Sequence, residues 1–158
     1  MYTDRSRLAV LGISIADVGL LAWGAAAALA PGCPGACLTK GYETFTNQSW
    51  TDLGKTSAST GDFLLLVFRV YGAYIVAFSM VAIAVAVTAF RRGEVWAWWT
   101  LLIGNTLAYP AAMAYDLSVG SIGPFEALEY VGLALIYASL AVTAPFGAAK
   151  RPAGAAAA

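Results

Sequence analysis

Four apolar runs constrain this chain more than any other feature: Leu8 to Ala30, Phe63 to Phe90, Val95 to Tyr115 and Phe125 to Phe146. Each passes the roughly 18 residues needed to cross the hydrocarbon core of a bilayer. In hydrocarbon every backbone N–H and C=O needs an internal partner, so runs of this kind fold as helices. They are rich in Ala, Leu and Val and lack the short alternating segments of a membrane β-barrel. The expected fold is all-α, an integral membrane bundle of four transmembrane helices forming a single domain over residues 1–148. Its helices are predicted at about 8–30, 63–90, 95–117 and 125–146, with an outer loop at 31–62 and an Ala-rich disordered tail at 149–158. Only 11% of the 158 residues are charged, against about 25% in soluble domains.

The first run follows Arg5 and Arg7 and ends in Ala28-Leu29-Ala30, a pattern shared with secretion signals. It is longer than the apolar core of a signal, about 7–15 residues, and Pro31 follows it directly. It is therefore read as a retained helix. The basic residues set the orientation. Arg5, Arg7, Arg91, Arg92, Lys150 and Arg151 fall in the three segments that four spans place on one side. That side is expected to be the cytoplasm, with both termini in it, and the membrane to be the cytoplasmic (inner) one. Trp96, Trp98 and Trp99 then anchor the inner interface.

Nine Lys+Arg balance nine Asp+Glu, so no basic excess points to nucleic acid. The chain has no histidine. This removes His-ligated metal sites, the commonest general base and any Ser-His-Asp triad. No motif signals a metal or a cofactor, and none is expected. Cys33 and Cys37 flank Pro34-Gly35 beyond the outer end of the first helix. In an oxidising compartment that arrangement favours a structural disulfide. The alternatives are a redox pair, for which relay cysteines are missing, and a zinc site, which needs four ligands.

Ionisable residues inside spans are the place to seek function. Counting helical rise from the inner ends puts Arg69, Asp116 and Glu126 about 30 Å up, and Glu129 about 26 Å up. Three helices thus carry one cation and three carboxylates to one level. Asp17 and Asn105 share a deeper level, about 14–15 Å up. A carboxylate there costs about 2.5–3.5 kcal/mol even on the lenient scale, so Asp17 needs a proton, water or a bundle partner. Asn105 and Ser14 are the expected partners. Glu126, Glu129, Tyr130, Leu133 and Tyr137 form one stripe of the fourth helix; Asn105, Tyr109, Ala112 and Asp116 form one of the third. Arg69, Gly72, Val76 and Ser79 do so on the second. Pro110 is expected to bend the third helix and open space beside it.

The candidate ligand-binding residues are therefore Arg69, Asp116, Glu126, Glu129, Tyr130, Tyr109, Asn105 and Asp17. The expected function is non-catalytic: a membrane lipid or other lipophilic small molecule held under the outer leaflet. One alternative is an accessory subunit of a larger membrane complex or a homo-oligomer, with Gly12/Ala16 and Ala82/Ala86 packing against partner helices. Another is an isoprenoid isomerase or cyclase using carboxylates as acid and base.

Three resemblances bear on these readings. Arg69-Val-Tyr-Gly72, with Phe90-Arg-Arg-Gly-Glu-Val-Trp-Ala-Trp-Trp99, resembles small four-helix bacterial proteins of the DoxX-like kind. That implies a bundle in the cytoplasmic membrane. Asp17, Asp116 and Glu129 are similar to the acids that face a lipophilic ligand in the EXPERA sterol-isomerase and ligand-binding group, whose catalytic histidine this chain lacks. Pro124-Phe-Glu126 resembles the Pro-x-Glu element of membrane-bound lycopene cyclases, with Ala127 where those carry a second acid.

Overall fold

A computed structural model of the protein describes residues 4–32, 37–120 and 124–145. Among them the chain is all-helical, without strands. The elements are α1 (Asp4–Leu29), α2 (Cys37–Thr46), α3 (Trp50–Thr56), α4 (Ala58–Val85), α5 (Val95–Val119) and α6 (Pro124–Val142). A π-helical turn, Ala86–Phe90, continues α4. In it the Arg91 N–H donates to the Ala86 carbonyl at 3.1 Å, five residues back, which bulges the helix by one residue.

Two helices are long and apolar enough to cross a membrane: Asp4–Leu29, and Ala58–Phe90 through its π turn. Their mean hydropathies reach 1.9 and 2.3. α5 is of similar length, but its tryptophans, Asn105, Pro110 and Asp116 dilute its apolar character.

α1 is the central element. It packs most extensively against α4 and then against α6, and α5 leans on α6 and the π turn. α4 and α5 meet sparingly, with Phe78 against Gly104. The ring of helices therefore has a seam between α4 and α5. The apolar core fills only one end. Ala9 and Ile13 of α1, Ala82, Ala86, Ala89 and Phe90, Ala97 and Leu101 of α5, and Ile136 and Leu140 of α6 interlock there. We call this the lower end; it holds the start of α1 and the α4–α5 turn. Gly93 makes that turn with φ 78°, a conformation open to glycine at little cost.

The structure corrects several boundaries. The segment expected as an outer loop, 31–62, contains α2, α3 and the first turn of α4. Ser49 starts α3 by accepting from the Thr51 N–H at 3.1 Å, a cap whose sequence signature is weak in so short a helix. α6 gives way to a turn after Val142, not at Phe146. α5 continues without a break through Pro110. Gly12, Ala82 and Ala86 are buried inside this chain, so they are not a free face for partner helices. The Cys33–Cys37 bridge, the Glu126 side chain and the tail at 149–158 lie outside the described residues.

Candidate functional site

Above the packed end α1 and α4 stay in close contact at Gly24 and Gly72, while three adjoining cavities open beside them. The uppermost, about 460 Å³, lies between α4 and α5 with Leu64, Phe68, Tyr71, Tyr115, Asp116 and Glu129 among its walls. α2 closes its top, contributing Leu38, Lys40 and Gly41. A second cavity of about 470 Å³ continues downward along the same seam, past Tyr74, Phe78, Leu107 and Tyr109. The third, about 260 Å³, passes between α1 and α6 beside Ala16, Leu20, Leu128 and Gly132. Trp23 and Glu129 line all three.

Local sequence explains how these walls are placed. α2 seats on the top of α5 because Gly41 has no side chain: a β-carbon there would lie 2.9 Å from the Tyr115 hydroxyl. Leu38 and Thr39 are buried on the same face of α2. Trp23 stands edge-on to Phe68 at 6.1 Å and to Tyr71 at 5.8 Å, which fixes the wall shared by the cavities. The upper end of α5 is closed by Gly120, at φ 72°, whose N–H donates to the Asp116 carbonyl at 2.9 Å.

The third-helix stripe does face inward: Leu101, Asn105, Tyr109 and Asp116 are buried. Asp116 is 8% exposed. The Tyr109 hydroxyl donates to the Ala16 carbonyl at 3.4 Å, and Gly132 leaves room for its ring. Glu129 and Asp116 lie within electrostatic reach of Tyr71, and Glu129 and Asp17 within reach of Tyr109. Asp116, Glu129 and Tyr109 are thus assembled around one set of cavities.

Other expected members are not. Arg69 is exposed on α4, lines none of these cavities, and forms no ion pair among the described residues. The reason is helical phase. The inward face of α4 is centred on Gly61, Phe68, Gly72 and Ser79, and Arg69, one residue past Phe68, falls at its exposed rim. The cation at the uppermost cavity is Lys40 instead. On α6 the buried stripe is Gly132, Ile136, Ser139 and Leu140, one position round from the expected one. Tyr130 is left at the edge, and the Tyr137 hydroxyl shares a hydrogen bond with Thr106 Oγ1 at 2.9 Å. Asp17 and Asn105 are both 0% exposed. Asn105 donates to the Leu101 carbonyl at 2.8 Å, not to Asp17, and neither carboxylate oxygen of Asp17 has a hydrogen-bond partner.

Lys40 and Trp23 are not among the site residues expected from the sequence. The Leu38, Gly41, Tyr42 spacing within 31–62 is a helical signal that would have brought Lys40 into view. Trp23 is the one tryptophan in the interior of an apolar run, a signal too weak by itself. No protein-family model matches the chain, and no curated protein and no solved structure is similar to it.

Proposed function

We propose that this chain is a four-helix membrane protein that binds an amphiphile without transforming it. The polar head lies under α2, beside Lys40, Asp116 and Glu129, and the apolar tail runs down the α4–α5 seam. The observation that carries this reading is the gradient along that seam. The uppermost cavity has Lys40, Asp116 and Glu129 in its walls, whereas of these only Glu129 reaches the one beneath, which is otherwise walled by apolar side chains and by Tyr71, Tyr74 and Tyr109. Ligand pockets commonly combine apolar walls with a few convergent polar groups in volumes of about 300–1,000 Å³.

The membrane setting is supported by what the helices turn outward. Leu11, Ile15 and Val18 on α1, Leu66, Val70 and Val81 on α4, Ile103 and Leu107 on α5, and Leu128 and Val131 on α6 are all exposed. Soluble monomers rarely show apolar surface on this scale. The polar residues that dilute α5, Asn105 and Asp116, are buried ones, so its outer face stays apolar and it too is suited to lipid. Arg5 and Arg7 share the lower end with Arg91 and Arg92, which supports reading that end as the cytoplasmic one. α2 then lies at the outer interface.

The test is native mass spectrometry of full-length protein extracted in mild detergent. The wild type is expected to retain one amphiphile. Ala112→Phe, which fills the wall common to the two seam cavities, should release it, and Glu129→Gln should retain less. An empty wild type, or an Ala112→Phe variant that retains the molecule equally well, refutes the reading.

A further inference from the structure

At the level of Phe78 and Gly104, which line the lower seam cavity, five buried side-chain oxygens have no hydrogen-bond partner: both carboxylate oxygens of Asp17, Ser14 Oγ, Ser79 Oγ and Asn105 Oδ1. Asp17, Ser79 and Asn105 are each 0% exposed. A buried polar atom left unpaired costs about 1–3 kcal/mol, and more if charged, so five at one place call for a common partner.

Three helix–helix contacts bring them to one place. α1 and α4 run antiparallel and cross where Gly24 meets Gly72. Asp17 is seven residues below Gly24 and Ser79 is seven below Gly72. Each has thus descended two turns, about 10 Å, on the face that makes the contact. α4 and α5 touch where Phe78 approaches Gly104, with 3.2 Å between a β-carbon at Gly104 and the Phe78 ring. Ser79 and Asn105 are the next residues on each side. α5 reaches α1 where Tyr109 bonds to the carbonyl of Ala16, beside Asp17, and Asn105 lies one turn below Tyr109. Ser14 is one turn below Asp17 on α1. The Asn105 amide is turned so that its nitrogen is occupied by the Leu101 carbonyl, leaving its oxygen free.

The set is composed only of oxygens: one carboxylate, one amide and two hydroxyls. It has a single formal charge. Zinc and copper favour nitrogen and sulfur, which are absent from the set, and manganese, though it takes oxygen, is a divalent ion facing a single negative charge. Calcium takes six to eight oxygens, and magnesium retains waters around a rigid octahedron. One carboxylate with three neutral oxygens balances a single positive charge of modest size. We propose that Asp17, Asn105, Ser79 and Ser14 bind a dehydrated alkali-metal ion of sodium size between α1, α4 and α5. This site is independent of the amphiphile reading, since it uses none of the three groups assigned to the polar head and none of its four residues lines a seam cavity.

The experiment uses full-length protein in detergent. Thermal unfolding is compared in sodium chloride and choline chloride at equal ionic strength, with ²²Na⁺ binding measured directly on the same preparation. Sodium at about a hundred times its Kd should raise the wild-type midpoint by roughly 5 °C or more, and ²²Na⁺ should bind one per chain. Asp17→Asn should lose both effects, and the milder Ser79→Ala should weaken ²²Na⁺ affinity several-fold. Equal midpoints in the two salts, with no ²²Na⁺ retained by the wild type, overturn the proposal and leave Asp17 as a neutral acid. Undiminished sodium binding by Asp17→Asn overturns it too. If Asp17→Asn does not fold, the wild-type measurement and Ser79→Ala still decide.

Discussion

Gly72→Ala is the most informative single perturbation of the fold, because the obstacle it meets cannot move aside. A β-carbon at Gly72 would lie 2.5 Å from the Ala28 nitrogen, 2.7 Å from the Gly24 oxygen and 2.9 Å from the Ala27 carbonyl carbon. All three atoms are α1 backbone. Comfortable contact is about 3.5–4.0 Å, so α1 and α4 must part by about 1 Å along their main interface. Forced overpacking of this kind costs about 1–3 kcal/mol. Replacing glycine by alanine inside a helix returns up to about 1 kcal/mol. The expected net effect is destabilisation by about 1–2 kcal/mol. Gly19→Ala is the matched control on α1: nothing lies within 4 Å of its β-carbon, so only the propensity gain remains, up to about 1 kcal/mol. Both variants are measured by reversible unfolding in detergent beside the wild type. A Gly72→Ala protein as stable as Gly19→Ala would show that α1 and α4 do not cross backbone to backbone, and the register drawn from that crossing would fall with it.

Two further predictions concern the lower end. Trp98 Nε1–H donates to the Leu140 carbonyl at 2.9 Å, tying α5 to the end of α6; Trp98→Phe should cost about 1 kcal/mol, and an unchanged unfolding midpoint would argue that the bond is absent. In the α4–α5 turn, the Arg92 guanidinium bonds to Glu94 at 2.6 Å and the Trp96 indole N–H donates to its other oxygen. Together these hold the Glu94 carboxyl below its ordinary range, Arg92 contributing most. Because the folded value is the lower one, the small stabilisation is complete above the ordinary carboxylate value and is lost as pH falls through the depressed one. An NMR titration of the Glu94 carboxyl should therefore show a midpoint below that of an exposed glutamate, moved up toward the ordinary value in Arg92→Ala, where the Trp96 bond remains; an ordinary midpoint in the wild type would refute this account.

Helix formation was legible because it is governed by local composition. Leu8 to Ala30 and Phe63 to Phe90 are apolar on every side, and nothing but a helix satisfies such a backbone internally. The burial of Asn105, Tyr109 and Asp116 followed from their spacing on α5, since residues three or four apart share a face. Arg69 shows where that logic fails. Spacing relates residues within a helix and says nothing of which face meets a neighbour. The face of α4 that packs runs through Gly61, Gly72, Ser79 and Ala82, and its centre lies far enough round to leave Arg69 at the exposed rim. The same indifference hid the true stripe of α6, where Glu129 is shared by both possible faces but Tyr130 is not. Lys40 was lost for a different reason: the polar residues around it masked a short amphipathic helix whose seat, Gly41 on Tyr115, exists only between elements.

By itself the chain of residues dictated that long apolar helices form, because an apolar backbone segment has no other way to pair its polar groups. It also determined that Asp17 would be exceptional, because a carboxylate amid such residues needs a partner wherever they fold. Only the tertiary structure decided which side chains meet. The positions of glycines set how near two helices come, that distance sets their rotation, and the rotation determines whether a charge faces a cavity or the surroundings.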